Sequence, residues 1–178
     1  MNKLCIQYYK TAYGELILGS FDDKLCICDW RYRKMRSSIN KKILQSLDAQ
    51  FKEEETPVIL TARNQLNEYF SGARKEFEIP LLLVGTAFQK SVWNELLKIP
   101  FGQTETYLGL SEKLGDEKAI RAVANANGAN AISIIVPCHR IVGSKGEMVG
   151  YAGGVRVKEK LLGLESDNPN TEQMSLFN

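Results

Sequence analysis

Thr106-Tyr107-Leu108-Gly109-Leu110-Ser111-Glu112-Lys113-Leu114-Gly115-Asp116-Glu117-Lys118-Ala119-Ile120-Arg121-Ala122-Val123-Ala124-Asn125-Ala126-Asn127-Gly128 reads as two short helices joined by a tight turn. Thr106 is a capping residue ahead of Tyr107, Leu110 and Leu114, whose spacing lines one helical face, and Gly115 stops that helix. Asp116 caps a second helix from Glu117 to about Asn127, closed by Gly128. Two helices around a Gly-containing turn form the helix-turn-helix pattern. The second helix is built mostly of small residues, Ala119, Ala122, Ala124 and Ala126, with Arg121 among them. A helix of that composition can approach another surface closely.

The flanks extend this reading. Upstream, Thr86-Ala87-Phe88-Gln89 has the capping-box pattern, and Phe88, Val92 and Leu96 follow at helical spacing towards Pro100. Downstream, Ile132 to Val136 is an apolar, β-branched run that predicts a buried strand or extended segment, ending at Pro137. Gly150-Tyr151-Ala152-Gly153-Gly154 predicts a flexible loop before a last helix from Val155 to Leu164. The N-terminal half alternates differently. Cys5 to Trp30 reads as strands, with turns at Ala12-Tyr13-Gly14 and Phe21-Asp22-Asp23. Helices are predicted over Ser38–Phe51 and Thr61–Phe70, with a short strand around Phe77–Val84. Gly85 marks a boundary, so the expected organisation is an α/β domain at 1–85, a mainly helical domain at 86–165 and a disordered tail at 166–178.

Composition narrows the class. The chain has 178 residues, 44% hydrophobic and 25% charged, as in ordinary globular proteins. No apolar run reaches membrane-spanning length and Met1–Lys10 lacks a signal-peptide layout, so a cytoplasmic location is expected and no membrane partner. The net charge is +2. Residues 1–165 hold all 23 Lys and Arg and all but two of the 21 Asp and Glu, a net of +4, while the tail carries only Asp167 and Glu172. A nucleic-acid site here must therefore be a small local surface, not a broad basic face. Cys26 and Cys28 stand two apart in a strand-like segment and lack zinc-ribbon spacing, and the single histidine is His139. No metal site and no cofactor are expected. Cys5, Cys26 and Cys28 read as small core residues.

The chemistry lies in Pro137-Cys138-His139-Arg140-Ile141-Val142. A thiolate is the reactive form of cysteine, and a nearby base favours it. Neighbouring residues on an extended chain point apart, so Cys138 and His139 can cooperate only if the chain turns sharply after Pro137.

These residues resemble the O6-alkylguanine-DNA alkyltransferases, or methylated-DNA–protein-cysteine methyltransferases. The likeness runs from Phe88 to Glu165 and adds Arg121-Ala122-Val123 on the second helix, Asn130 eight residues before the cysteine, Tyr151 with Gly153 and Gly154 in the loop, and Lys158–Leu162 on the last helix. It implies a winged helix-turn-helix-like catalytic domain behind a ribonuclease H-like N-terminal domain with a small antiparallel sheet. It further implies DNA repair by irreversible, single-turnover transfer of an alkyl group from O6-alkylguanine, and also O4-alkylthymine, to Cys138. In that scheme His139 deprotonates the thiol, Glu165 orients His139, Asn130 holds the turn and Tyr107 protonates the leaving guanine. Ile141, Tyr151, Ala152 and Gly153 surround the base. Arg121, with Ala119, Ala122 and Ala126, enters the minor groove of double-stranded DNA, and the protein acts as a monomer. Zinc ligands that some members carry in the N-terminal half have no counterpart here. Ser133, Val149 and Ala152 occupy pocket positions that vary among members.

Three rival readings fit less well. A lesion-binding relative without chemistry lacks the cysteine. A cysteine hydrolase leaves the helix-turn-helix idle, and a transcription factor needs more polar base-reading side chains than Arg121 and Asn125 supply. The tail adds one expectation. Gln173-Met174-Ser175-Leu176-Phe177 resembles the peptide by which bacterial repair proteins dock on the sliding clamp, with Gln173, Leu176 and Phe177 as anchors.

Overall fold

The computed structural model describes residues 1–166. β1 (Asn2–Thr11), β2 (Gly14–Phe21) and β3 (Lys24–Trp30) form an antiparallel meander. The β2–β3 turn puts Asp22 and Asp23 at φ 47° and 58°, the paired left-handed conformation of a two-residue hairpin. α1 (Arg36–Leu47) ends where Asp48 turns left-handed at φ 46°. The next residues, expected to continue that helix, instead form β4 (Ala49–Glu53), which pairs parallel with β1. The sheet, ordered β3-β2-β1-β4, is therefore mixed and not purely antiparallel.

Its two faces feed two cores. Ile17, Ile27, Leu4 and Ile6 pack with Ile39 and Ile43 of α1. Leu16, Leu18, Leu25 and Trp30 pack on the other side with α2 (Pro57–Phe70) and with the C-terminal half. Covering both faces explains why β2 and β3 are apolar almost without alternation. α2 starts four residues earlier than Thr61, because Thr56 caps it and Pro57 suits the first helical position. The expected strand at Phe77–Val84 is an extended segment with a single β-bridge to the sheet, Leu25 to Leu81.

In the second half, α3 (Ala87–Leu96) begins with the full Thr86/Gln89 capping box. β5 (Glu105–Thr106) leads into α4 (Tyr107–Lys113), a single 3-10 turn at Glu117–Ala119 follows Asp116, and α5 (Ile120–Gly128) completes the helix-turn-helix. β6 (Ile141–Val142) pairs parallel with β5, and α6 (Val155–Leu164) closes the described chain. The indole of Trp93 on α3 donates to the Ala126 carbonyl at 2.8 Å, which ties α3 to α5. No helix among the described residues is long and apolar enough to cross a membrane. The tail expectations, including Gln173, Leu176 and Phe177, fall outside the described residues.

Candidate active site and nucleic-acid interface

The turn that Cys138 needs is present. Ile132–Val136 is buried as expected but is not a strand. After one bridge from Cys28 to Ile132 it curls back, with Val136 N–H on the Ile132 carbonyl at 3.0 Å. Asn130 drives the curl. Its side-chain oxygen accepts from Ile132 N–H at 2.9 Å, and its amide donates to the Val136 carbonyl at 2.9 Å. Ile134 sits at φ 72°, a conformation costly for a β-branched residue, by about 1–3 kcal/mol. Burial and the Asn130 bonds hold it there. Cys138–Arg140 then forms a 3-10 turn, so the chain is not extended where Cys138 and His139 stand, and both are buried.

Cys138 is almost fully buried yet lines the floor of a groove of about 1160 Å³. That exceeds the roughly 300–1,000 Å³ of a small-molecule site, so a nucleotide and its strand have room. Burial pushes the Cys138 thiol up, with the Asn130 amide opposing. The cysteine is therefore a neutral thiol at rest and needs a base. Cys26 and Cys28 are also buried, Cys26 with its thiol pushed up to about 12, and neither lines the groove.

His139, the expected base, is fully buried. Burial lowers its pKa below the ordinary imidazole value, and Glu165 only partly offsets this. Its Nε2 lies 2.8 Å from Glu165 Oε1. Burial alone raises the Glu165 carboxyl, but hydrogen bonds from His139 and Arg140 outweigh it and hold the pKa at about 2. An ionised Glu165 fixes the proton on Nε2, which leaves the buried Nδ1, unpartnered among the described residues, as the proton acceptor.

Glu165 has two partners that sequence reasoning missed. Arg140 clamps it through Nε at 2.9 Å and Nη2 at 2.9 Å, and Tyr69 of α2 donates its hydroxyl to Oε1 at 2.7 Å. A buried charge needs a counterion, so Arg140 beside the catalytic pair carried a signal. Tyr69, 96 residues from its partner, carried none. Tyr69→Phe keeps the ring and removes one charge-assisted bond, with an expected stability loss of about 1.5–3 kcal/mol. Equal unfolding midpoints for the variant and the parent protein would show that the bond contributes nothing.

The remaining expected residues divide. Tyr107, Tyr151, Ala152, Val149 and Arg121 all line the groove with Cys138. The Tyr107 hydroxyl reaches the Val149 carbonyl at 3.4 Å, and burial raises its pKa. Tyr151 accepts from the Trp30 indole at 3.2 Å. Gly153 stands behind the lining, where a Cβ would come within 2.7 Å of Trp30, so no larger residue fits beside that indole. Ile141 is fully buried in β6. Ser133 is not a pocket residue; its hydroxyl bonds Asp29 at 3.0 Å, fully buried. The small residues of α5 and the turn before it face two ways. Ala126 turns into the core with Val123, and Ala119 packs against the same core. From α5, the groove is lined by Ile120, Arg121, Ala124, Asn125, Asn127 and Gly128, while Ala122 is exposed beside it.

Family models for the 6-O-methylguanine DNA methyltransferase match twice, as the ribonuclease-like domain over residues 4–83 and the DNA-binding domain over residues 87–167. The chain belongs to the 6-O-methylguanine DNA methyltransferase family. The constitutive methylated-DNA–protein-cysteine methyltransferase of Bacillus subtilis is 37% identical over 172 residues, covering 90% of this chain and 96% of that one. A relative of the same name from Methanosarcina acetivorans is 47% identical over 125 residues, covering 70% and 79%. Mycobacterium tuberculosis OGT, solved in complex with DNA, superposes with a TM-score of 0.80 at 34% identity, covering 98% of this chain and 99% of that one. The family's two-part architecture, an α/β domain with a small sheet and a helical domain, is that of this alkyltransferase.

Proposed function

We propose that this protein repairs DNA by taking an alkyl group from O6-alkylguanine onto Cys138, once per molecule. The observation that carries this reading is the position of Cys138. It lies at the floor of a groove walled by α5, with a neutral imidazole in the same turn and an ionised carboxylate, Glu165 at the end of α6, paired with that imidazole. The sulfur attacks the alkyl carbon in line with the C–O6 bond. The S–C bond forms as the C–O6 bond breaks, and the electron pair passes to the guanine. The thiol proton moves through a bridging water to His139 Nδ1, and Glu165 stabilises the imidazolium. Tyr107 supplies a proton to the departing base at N3 and regains one from solvent. The thioether is stable and no group reverses it. O4-alkylthymine reacts by the same displacement.

An O6-alkyl group lies within the duplex, so the nucleotide turns out into the groove. α5 enters the minor groove and Arg121 fills the place of the base. Few phosphate contacts are needed, in line with the small net charge. The protein acts as a monomer. The test is to mix it with a duplex carrying labelled O6-methylguanine. One label per protein molecule, with no turnover on adding fresh DNA, is expected; catalytic release of methanol or repeated turnover contradicts the reading.

The tail peptide from Gln173 to Phe177 suits an extended ligand of the bacterial sliding clamp, with Leu176 and Phe177 as apolar anchors. Titration of purified clamp should show micromolar binding, about −8 kcal/mol, that truncation after Asn170 removes. Equal binding by both forms excludes it.

A further inference from the structure

The family model assigns DNA binding to the C-terminal half alone, yet the groove before Cys138 has a second wall. Lys34 and Met35, in the loop between β3 and α1, line it together with Arg121 and Lys118. This loop is held firmly from beneath. Arg33 donates to Asp29 at 2.9 Å, to the Asn130 carbonyl at 3.1 Å and to the Gly128 carbonyl at the end of α5. Arg36 donates to the same Asp29 at 2.8 Å. Asp29 is fully buried and Arg33 nearly so, so this ion cluster pins the loop to the recognition helix and to the turn before Cys138. The two residues beside Arg33 are then left outside it. Lys34 is exposed and makes no ion pair among the described residues, and Met35 is 46% exposed.

We propose that Lys34 and Met35 form a second DNA-binding wall. Lys34 meets a phosphate flanking the extruded nucleotide, and Met35 covers the adjoining sugar. The proposal rests on the reading of this groove as the DNA site. Charge and continuity commit the wall to nucleic acid. The groove carries Lys34, Lys118 and Arg121 at its rim and no acidic residue in its lining. The loop faces the same space as the reacting sulfur, where the backbone on either side of an extruded nucleotide must pass. Rigid anchoring means that Lys34 loses little loop freedom on contact.

The experiment measures binding of the full chain to a duplex at several salt concentrations, for the parent protein, Lys34→Ala and Lys34→Glu. One lost phosphate contact should lower the slope of log affinity against log salt by about one for Lys34→Ala. Affinity should fall about three- to tenfold, and further for Lys34→Glu. Alkyl transfer from free O6-benzylguanine, which has no phosphate, should stay within twofold for both. An unchanged slope overturns the proposal, as does an equal loss on the free base. Arg121→Ala is run alongside. If it weakens duplex binding while Lys34→Ala does not, only the second wall falls. If neither variant matters, the reading of the groove itself falls.

Discussion

Glu165→Gln slows alkyl transfer by about 10²–10⁴-fold, the usual contribution of general acid–base assistance, and changes duplex affinity less than twofold. The amide keeps the shape of the side chain and removes its charge. In the parent protein, Glu165 Oε1 takes hydrogen bonds from Tyr69 and His139, and Arg140 holds both oxygens. Without the carboxylate, the imidazolium formed during transfer faces the Arg140 cation with nothing between them to stabilise it. The Cys138 thiol, already raised by burial, then keeps its proton. Stability falls too, by about 3–5 kcal/mol, because a buried cation loses its partner. That loss has a defined pH dependence. The Glu165 carboxyl is depressed from 4.5 to about 2, so its contribution is complete above the ordinary value and drains away as pH falls towards about 2. The gap in melting temperature between parent and variant is expected to be widest at neutral pH and to narrow by pH 3. Single-turnover rates with a methylated oligonucleotide, measured below the variant's melting temperature, check the kinetic claim. A large affinity loss with a normal rate contradicts it.

Arg121→Ala slows repair of a methylated duplex by about 10–100-fold and leaves transfer from the free modified base nearly unchanged. Holding a nucleotide outside the stack costs a few kcal/mol, and each 1.4 kcal/mol is about tenfold in rate. Arg121 lies on the groove face of α5, beside Ala124, where small neighbours let the helix come close to DNA. Its guanidinium is the group on that face long enough to reach into the emptied position. Equal losses on duplex and free base would place Arg121 in the pocket chemistry and not in base extrusion.

Local signals made much of this legible. The Thr86/Gln89 box and the Thr106 cap each fix a helix start by satisfying orphan N–H groups, and they read correctly; Asp116 caps only the 3-10 turn Glu117–Ala119, and α5 itself starts three residues later than expected, at Ile120, without a side-chain cap. The motif at 137–142 pointed to Cys138 and His139, which stand together in one buried turn. What failed depended on distant partners. Ala49–Phe51 carries helical spacing but is recruited as an edge strand, because β1 offers open hydrogen-bonding groups once Asp48 has turned the chain. Ile132–Val136 has strand composition, yet Asn130 supplies the hydrogen bonds that a neighbouring strand would have given. Ala126 and Ala122 look alike in the sequence, but Ala126 is buried, with its carbonyl bonded by the Trp93 indole, and Ala122 is exposed. Tyr69 and Asp29 support the site from the N-terminal half, through contacts that no local pattern encodes.

The central claim is that Cys138 alone accepts the alkyl group. The most direct measurement is to react the full chain with an oligonucleotide containing O6-methylguanine, digest it and locate the added methyl by peptide mass spectrometry. The expected result is a single S-methylcysteine at Cys138, one per chain, with Cys5, Cys26 and Cys28 unmodified. A methyl group on any of those three, or an unmodified Cys138 after complete repair of the DNA, would contradict the account.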